Sequence, residues 1–353
     1  MRVALDRTAR RYDGGRVLVG GSPLTVFRLG PAGRRALDAI AAGHEPSPSA
    51  QPLVDRLLET GAAHPRPAGG RFGPDDVTVV IPVHGHDPAL TIAAAGAVAD
   101  VLVVDDACQP AVAVAGTATV LRHDANLGPA SARMTGLSAT TTSLVAFLDA
   151  DCEPVPGWLG PVLAHFDDDR VALAAPRIVT TGSEKPGVLA RYDAVRNPLD
   201  LGPLEGRVAL ATRVPYVPAA AMVVRVEALA SAGGFDTDMR VGEDVDLVWR
   251  LAGQGWRCRY EPRAVVRHRP RTSLAGFVRQ RFAYGRSAPD LHRRHPGAVS
   301  PSIGGPWSAG AWVLAALGHA ATGAAMGVVP AATVRRALPP FPGRDRVALR
   351  LAG

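Results

Sequence analysis

Asp149-Ala150-Asp151 is the shortest stretch of the chain with an obvious chemical use. Two aspartates one residue apart can approach the same cation. A hard divalent ion such as Mg²⁺ or Mn²⁺ takes oxygen ligands and often completes its shell with substrate phosphates. The competing reading is a solvated turn after a strand. A second acidic group is Gly242-Glu243-Asp244, followed by Val245-Asp246-Leu247. Here the alternatives are charge complementing a helix N-terminus and a carboxylate base, with Asp244 or Glu243 catalytic. His123-Asp124-Ala125-Asn126-Leu127-Gly128 suits a turn, and Arg133 falls on the helix after it. Asn126 and Arg133 are either loop chemistry or contacts to a nucleotide. Val265-Val266-Arg267-His268 ends an apolar run in an imidazole, which is either structural or a further metal ligand.

These residues need elements to hold them. VTVVIPV (77–83) is a near-continuous β-branched run and reads as a strand buried on both faces. Val101 to Val104, Thr119 to Arg122 and Leu144 to Leu148 read as further strands, the first ending in Asp105-Asp106 and the last in Asp149. Ala89 to Ala99 and Pro129 to Thr140 read as the helices between them. Strands alternating with helices predict an α/β doubly wound, mostly parallel sheet. In such sheets ligands bind beyond the carboxyl ends of the strands, where these polar residues cluster.

The N-terminal 67 residues read as a separate small unit. Val17 to Val19 and Leu24 to Leu29 suit short strands. Pro31 to Ile40 and the stretch QPLVDRLLET suit helices. A Pro/Gly-rich stretch runs from His64 to Asp76, a boundary signal. The expected division is therefore 1–67, a linker at 68–76, a catalytic unit at 77–290 and a tail at 291–353.

Composition narrows the classes. The 353 residues are 47% hydrophobic and 20% charged, which fits globular domains and excludes a collagen-like or largely disordered chain. Basic residues exceed acidic ones, 39 to 32, but not in one block, and Lys185 is the only lysine. A nucleic-acid binder would show a recognition motif, and none is present. The three cysteines, Cys108, Cys152 and Cys258, form no CxxC pair, which argues against a zinc ribbon and for a reducing compartment. The first fifteen residues contain no signal-peptide apolar run. A cytoplasmic protein is expected. Trp312 to Val329 is apolar but dominated by Ala and Gly, so the tail is expected either as a buried or interfacial helix at the inner face of the membrane or as a span.

The ordered set IPVHGHDPAL, VVDDACQP, HDANLGPASARMTGL, FLDADCEP and GGFDTDMRVGEDVDLVWRLAGQGWRCRYEPRAVVRHRP closely resembles glycosyltransferase family 2. The resemblance covers 77 to about 285. It implies a GT-A fold, a nucleotide-sugar donor, a divalent metal (Mn²⁺ or Mg²⁺) and inversion of the anomeric carbon. By resemblance, Pro82, Val83, Asp105 and Asp106 lie around the nucleotide base and ribose. Asp149 and Asp151 match the metal-diphosphate motif, His268 a metal or diphosphate contact, and Asp244 the general base. Arg279, Arg281 and Arg286 are placed like the diphosphate-side basic segment. The chain has no Gln-x-x-Arg-Trp, so processive polymer synthesis is not expected. RRYDGGRVLVGGSPLTVFRLGPAGRRALDAI and RQRFAYGRSAPDLHRRHPG are similar to glycosyltransferases of mycofactocin biosynthesis. In those, the N-terminal part resembles small α+β, winged-helix PqqD-like peptide-recognition domains. That narrower resemblance implies UDP-glucose as donor and a peptide-derived redox cofactor precursor as acceptor. A cell-envelope glycan or lipid acceptor is the alternative. A sugar-nucleotide nucleotidyltransferase would need a Gly-rich basic loop after the first strand, which IPVHGHD does not supply.

Overall fold

The computed structural model describes residues 2–95, 100–114, 116, 118–181, 191–192, 196–269 and 274–299, with scattered positions beyond 310. The chain divides into two compact units. One joins 2–63 to 299–353, and the other holds 64–298.

The first unit opens with β1 (Arg2–Leu5), followed by an antiparallel meander of β2 (Arg10–Tyr12), β3 (Val17–Gly20) and β4 (Thr25–Arg28). Two helices follow, α1 (Pro31–Ala41) and α2 (Gln51–Glu59). Each is amphipathic. Leu37 and Ile40 of α1 and Val54, Leu57 and Leu58 of α2 close over Leu18 and Phe27 in one apolar core. Proline in the first turn of each helix costs no hydrogen bond, because those N–H groups have no intrahelical acceptor. Val17 and Val19 pack with Leu338, Phe341 and Ala348 of the same unit.

The second unit carries the candidate chemistry. After β5 (Ala63–Arg66) come β6 (Val77–Val83), α3 (Ala89–Ala95), β7 (Asp100–Asp106), β8 (Thr119–His123), α4 (Pro129–Ser138), β9 (Leu144–Leu148) and β10 (Cys152–Pro154). Then follow α5 (Leu159–Leu163), β11 (Val171–Thr180), β12 (Gly206–Val208), β13 (Ala221–Arg225), α6 (Val226–Ser231), α7 (Glu243–Gly253), β14 (Arg257–His268), α8 (Leu274–Arg286) and α9 (Ala288–Arg294). One nine-stranded sheet runs in the order β10-β14-β11-β13-β9-β6-β7-β8, with β12 paired to β14. Strands β9, β6, β7 and β8 are mutually parallel. β13 is antiparallel to both β9 and β11, and β14 returns parallel to β11. The fold is α/β around this mixed sheet, parallel across β9, β6, β7 and β8.

Alternation along β6 shows why it reads as a continuous apolar run. Val77, Val79 and Ile81 enter one core layer, and Val80 enters the other. Helix α4 packs on the Val80 side, where a Cβ at Gly136 would come within 2.3 Å of Val80 Cγ1. Helix α3 lies on the opposite side, and Thr91 donates to the Ala150 carbonyl at 2.8 Å. The strand expectations at 77–83, 101–104, 119–122 and 144–148 all hold. Helix α3 is described to Ala95, so the expected end at Ala99 lies outside the described residues. So does most of Trp312 to Val329. Among the described residues no helix is long and apolar enough to cross a membrane.

Candidate active site

The parallel strands place their polar residues at one end. β7 ends in Asp105 and Asp106, and β9 ends one residue before Asp149. The antiparallel neighbour β13 begins at Ala221, opposite Leu148. The residues entering β13 therefore lie beside those leaving β9. Asp149 N donates to Ala220 O at 3.0 Å, and Ala219 N donates to Asp244 Oδ2 at 3.1 Å. One dipeptide thus ties together the two acidic groups, which are 95 positions apart in sequence (244 minus 149).

Arg133 completes the link. It projects from α4 with 3% exposure, donating through Nη2 to Asp149 Oδ1 and through Nη1 to Glu243 Oε1, both at 2.8 Å. Its guanidinium stacks on Phe235 at 5.5 Å. Burial works against its charge, but Asp149, Glu243 and Asp244 outweigh that and hold its pKa above the ordinary value. Both Nη groups of this guanidinium are thus engaged by carboxylates of the acidic row.

Glu243 and Asp244 open α7 after Gly242, whose φ of 86° favours glycine. The helix dipole and Arg133 favour their ionised forms. Burial and mutual repulsion win: Glu243 is raised to about 7, first by desolvation and then by the Asp244 charge. Asp244 is also raised, by desolvation, despite hydrogen bonds from Ala219 N and Val245 N. As residues, Asp244 is half-buried and Glu243 buried.

Asp151 faces His268 at the end of β14, with Oδ2 3.3 Å from Nε2. Burial opposes its ionisation, but the His268 contact and the charge of His86 outweigh it, so its pKa is lowered. The side chains of Asp149 and Asp151 retain 35% and 25% exposure, enough to meet a ligand. Two carboxylates and an imidazole are hard or borderline donors, which fits Mg²⁺ or Mn²⁺ sharing oxygens with a diphosphate. Among the described residues no group of three His, Cys, Asp or Glu is closed around a metal position.

The Asp105-Asp106 pair is buried and shapes loops. Asp105 accepts from Cys108 N at 2.7 Å and Val112 N at 3.0 Å, and pairs with Arg122. Asp106 accepts from His123 Nδ1, Leu127 N and Gly128 N, each at 2.8 Å. Burial opposes both charges, but these donors outweigh it and hold both carboxyls low. Pro82 is half-buried and Val83 buried at the end of β6. Asn126 is exposed and accepts from Arg240 at 3.2 Å. On α8, Arg279 is exposed, and Arg281 donates to the Arg196 carbonyl at 3.2 Å.

Tyr216 escapes sequence reasoning. Burial raises its phenol, followed by the Asp244 charge, with Arg281 pulling the other way. That places Tyr216 near both Asp244 and Arg281. Its loop is fastened by Trp249 Nε1 donating to Pro215 O at 2.8 Å. His86, near Asp151, and His295, bonded to Asp246 at 2.8 Å, escape it too. Each stands in or beside an irregular segment with no periodic pattern to signal it.

Residues 78–231 match the family model for glycosyl transferase family 2. A pre-mycofactocin glycosyltransferase of Mycobacterium tuberculosis is 42% identical over 342 residues, covering 95% of this chain and 72% of that protein. A human polypeptide N-acetylgalactosaminyltransferase 15 is 30% identical over 154 residues, covering 39% of this chain and 24% of that one. Among solved structures, a mannosyltransferase from Pyrobaculum calidifontis in complex with GDP-Man and Mn²⁺ has a TM-score of 0.44 at 19% identity, covering 80% of this chain and 82% of that one.

Proposed function

The chain belongs to glycosyltransferase family 2, and from that premise we propose that it moves glucose from UDP-glucose onto a peptide-derived redox cofactor precursor of the mycofactocin type, with inversion at the anomeric carbon. The observation that best supports this is the Arg133 bridge, which holds Asp149 and Glu243 in one row with Asp244 beside them.

In this reading Asp149, Asp151 and His268 would hold a divalent cation, which as a Lewis acid offsets charge on the departing diphosphate. Pro82, Val83, Asp105, Asp106 and Asn126 frame the nucleotide, the two aspartates by fastening the loops after β7 and β8. Arg133 serves donor binding by setting the orientation of Asp149. Arg279 and Arg281 approach the diphosphate from α8. Asp244 takes the proton of the acceptor hydroxyl as it attacks the anomeric carbon from the face opposite the leaving group. An alcohol is a poor nucleophile without such a base, and a raised carboxylate pKa suits the task near neutral pH. Glu243, locked to Arg133, orients the base. Residues 1–67 recognise the acceptor.

The test is to incubate the protein with UDP- and GDP-sugars, Mn²⁺ and a pre-mycofactocin-type acceptor, and to record product mass. A gain of one hexose from UDP-glucose with the β-anomer formed is expected. Transfer only to a lipid or glycan acceptor would replace the acceptor assignment, and retention of configuration would remove the single-base scheme.

A further inference from the structure

Arg259, in the middle of the sheet unit, is a buried guanidinium that the surrounding protein leaves short of acceptors. It stands on β14 with 3% exposure, and its Nε and Nη1 are buried without a hydrogen-bond partner among the described residues. Two other buried arginines of the same unit behave differently. Arg133 bridges two carboxylates. Arg225 donates to the carbonyls of Val171 and Phe166 and stacks on Phe72 and Phe166. A charge taken from water without partners is costly, and a native interior normally supplies them. Burial, then the charge of Arg257, pushes Arg259 down to about 10, so it is still charged at neutral pH.

Strand register surrounds it with like charge. Arg207 of β12 lies directly opposite Arg259 in an antiparallel pair, so both side chains leave the same face. Arg257, two residues along β14, shares that face. The nearby acids are engaged. Asp168 accepts from Arg257 at 2.7 Å and from Arg170 N at 3.0 Å. Glu205 accepts both nitrogens of Arg66, at 2.6 and 2.5 Å. Asp169 pairs with Arg71. Three guanidinium-bearing residues, Arg207, Arg257 and Arg259, thus share one face of two paired strands.

The cluster lies away from the candidate active site. Arg259 is opposite Ala174 of β11, and His268 is opposite Thr180. Six residues of strand separate the two positions, about 20 Å at roughly 3.3 Å per residue.

We propose that Arg259, together with Arg207 and Arg257, forms a binding site for a phosphate group, distinct from the sugar-transfer site. A phosphate carries close to two negative charges at neutral pH and offers several acceptor oxygens. Guanidinium forks match that geometry. The ligand is inorganic phosphate or the phosphate of a nucleoside diphosphate, and the two share this chemistry.

The experiment follows thermal melting of the full chain at constant ionic strength while inorganic phosphate replaces chloride. A second arm uses UDP with chelator, so that no divalent ion is present. A ligand that binds only the folded state raises the melting temperature in a saturable way. That rise is expected in at least one arm, and Arg259→Met should abolish it. Arg207→Gln should weaken the apparent affinity about tenfold, as for one lost charge-assisted contact. It should leave sugar transfer in phosphate-free buffer unchanged. A response to phosphate alone assigns the site to the free anion, and an Arg259-dependent response to UDP assigns it to a nucleotide. No saturable rise in either arm overturns the proposal, because ordered water then satisfies Arg259. Equal responses from wild type and Arg259→Met overturn it too. Should Arg259→Met fail to fold, an unchanged response in Arg207→Gln overturns the proposal in its place.

Discussion

Asp244 accepts two backbone hydrogen bonds, yet burial still lifts its pKa. Asparagine keeps its shape and cannot take a proton. Asp244→Asn is therefore expected to lower kcat by about 10²- to 10⁴-fold, with UDP affinity in Mn²⁺ nearly unchanged. Loss of UDP binding in a calorimetric titration would instead make the residue part of the donor site. Glu243 next door supplies a pH signature. Its pKa is about 7 in the fold against an ordinary 4.5, so the fold favours the neutral form. The stability this contributes is complete below pH 4.5 and is lost as pH rises through about 7. Melting temperatures of wild type relative to Glu243→Gln should accordingly fall across that window. A constant difference would show that Arg133 holds Glu243 ionised throughout. Arg133, buried among them, holds Asp149 and Glu243 in place. Nothing in PASARMTGL announces that its arginine meets Glu243, 110 positions later.

Two elements set the rim of the site. Asp106 at the end of β7 fastens the 123–128 loop through His123, Leu127 N and Gly128 N. Asp106→Ala leaves donors without an acceptor, each worth about 1–3 kcal/mol when buried. The expected result is a lower melting temperature together with weaker donor affinity. A variant that melts lower but binds donor normally would separate the loop from the nucleotide. Helix α4 must approach β6 closely to bring Arg133 to the row, and Gly136 permits it. Gly136→Ala puts a methyl against Val80, with overpacking expected to cost about 1–3 kcal/mol. Chemical denaturation measures that cost, and the Arg133 bridge predicts that activity falls alongside stability.

The molecule as a whole holds two compact units, and the smaller has its own apolar core around Leu18, Leu37 and Leu57. In the proposed function this unit recognises the acceptor. Deletion of 1–63 is expected to raise the acceptor KM at least about tenfold, a loss of about 1.4 kcal/mol of binding. Hydrolysis of the donor and its affinity should persist. Unchanged acceptor kinetics in the truncated chain would reduce the unit to a stabilising role. In the larger unit, Glu261 is held down to about 2: burial opposes this, and Arg263 and His165 outweigh it.

Local pattern determined a good deal of this protein. The β-branched run at 77–83 and the apolar run at 144–148 read as buried strands, and a strand followed by Asp149-Ala150-Asp151 presents its carboxylates beyond its carboxyl end. The Glu243-Asp244 pair before an apolar stripe marked a helix start. Such features depend on neighbours within a few residues. The tertiary structure decided what the side chains do, because partners there are chosen by packing across the chain. Sequence left Arg133 open between loop chemistry and a nucleotide contact, and the fold makes it a brace between Asp149 and Glu243. Asp105 and Asp106, which resemblance puts around the base and ribose, accept hydrogen bonds from the loops that follow them. Arg259 stands between Cys258 and Tyr260 in RCRYEP, where no local pattern tells it from the other arginines of that basic stretch. Only the pairing of β12 with β14 set Arg207 beside it, and only burial left its Nε and Nη1 without acceptors. Register and burial are properties of the assembled sheet, and no run of residues contains them by itself.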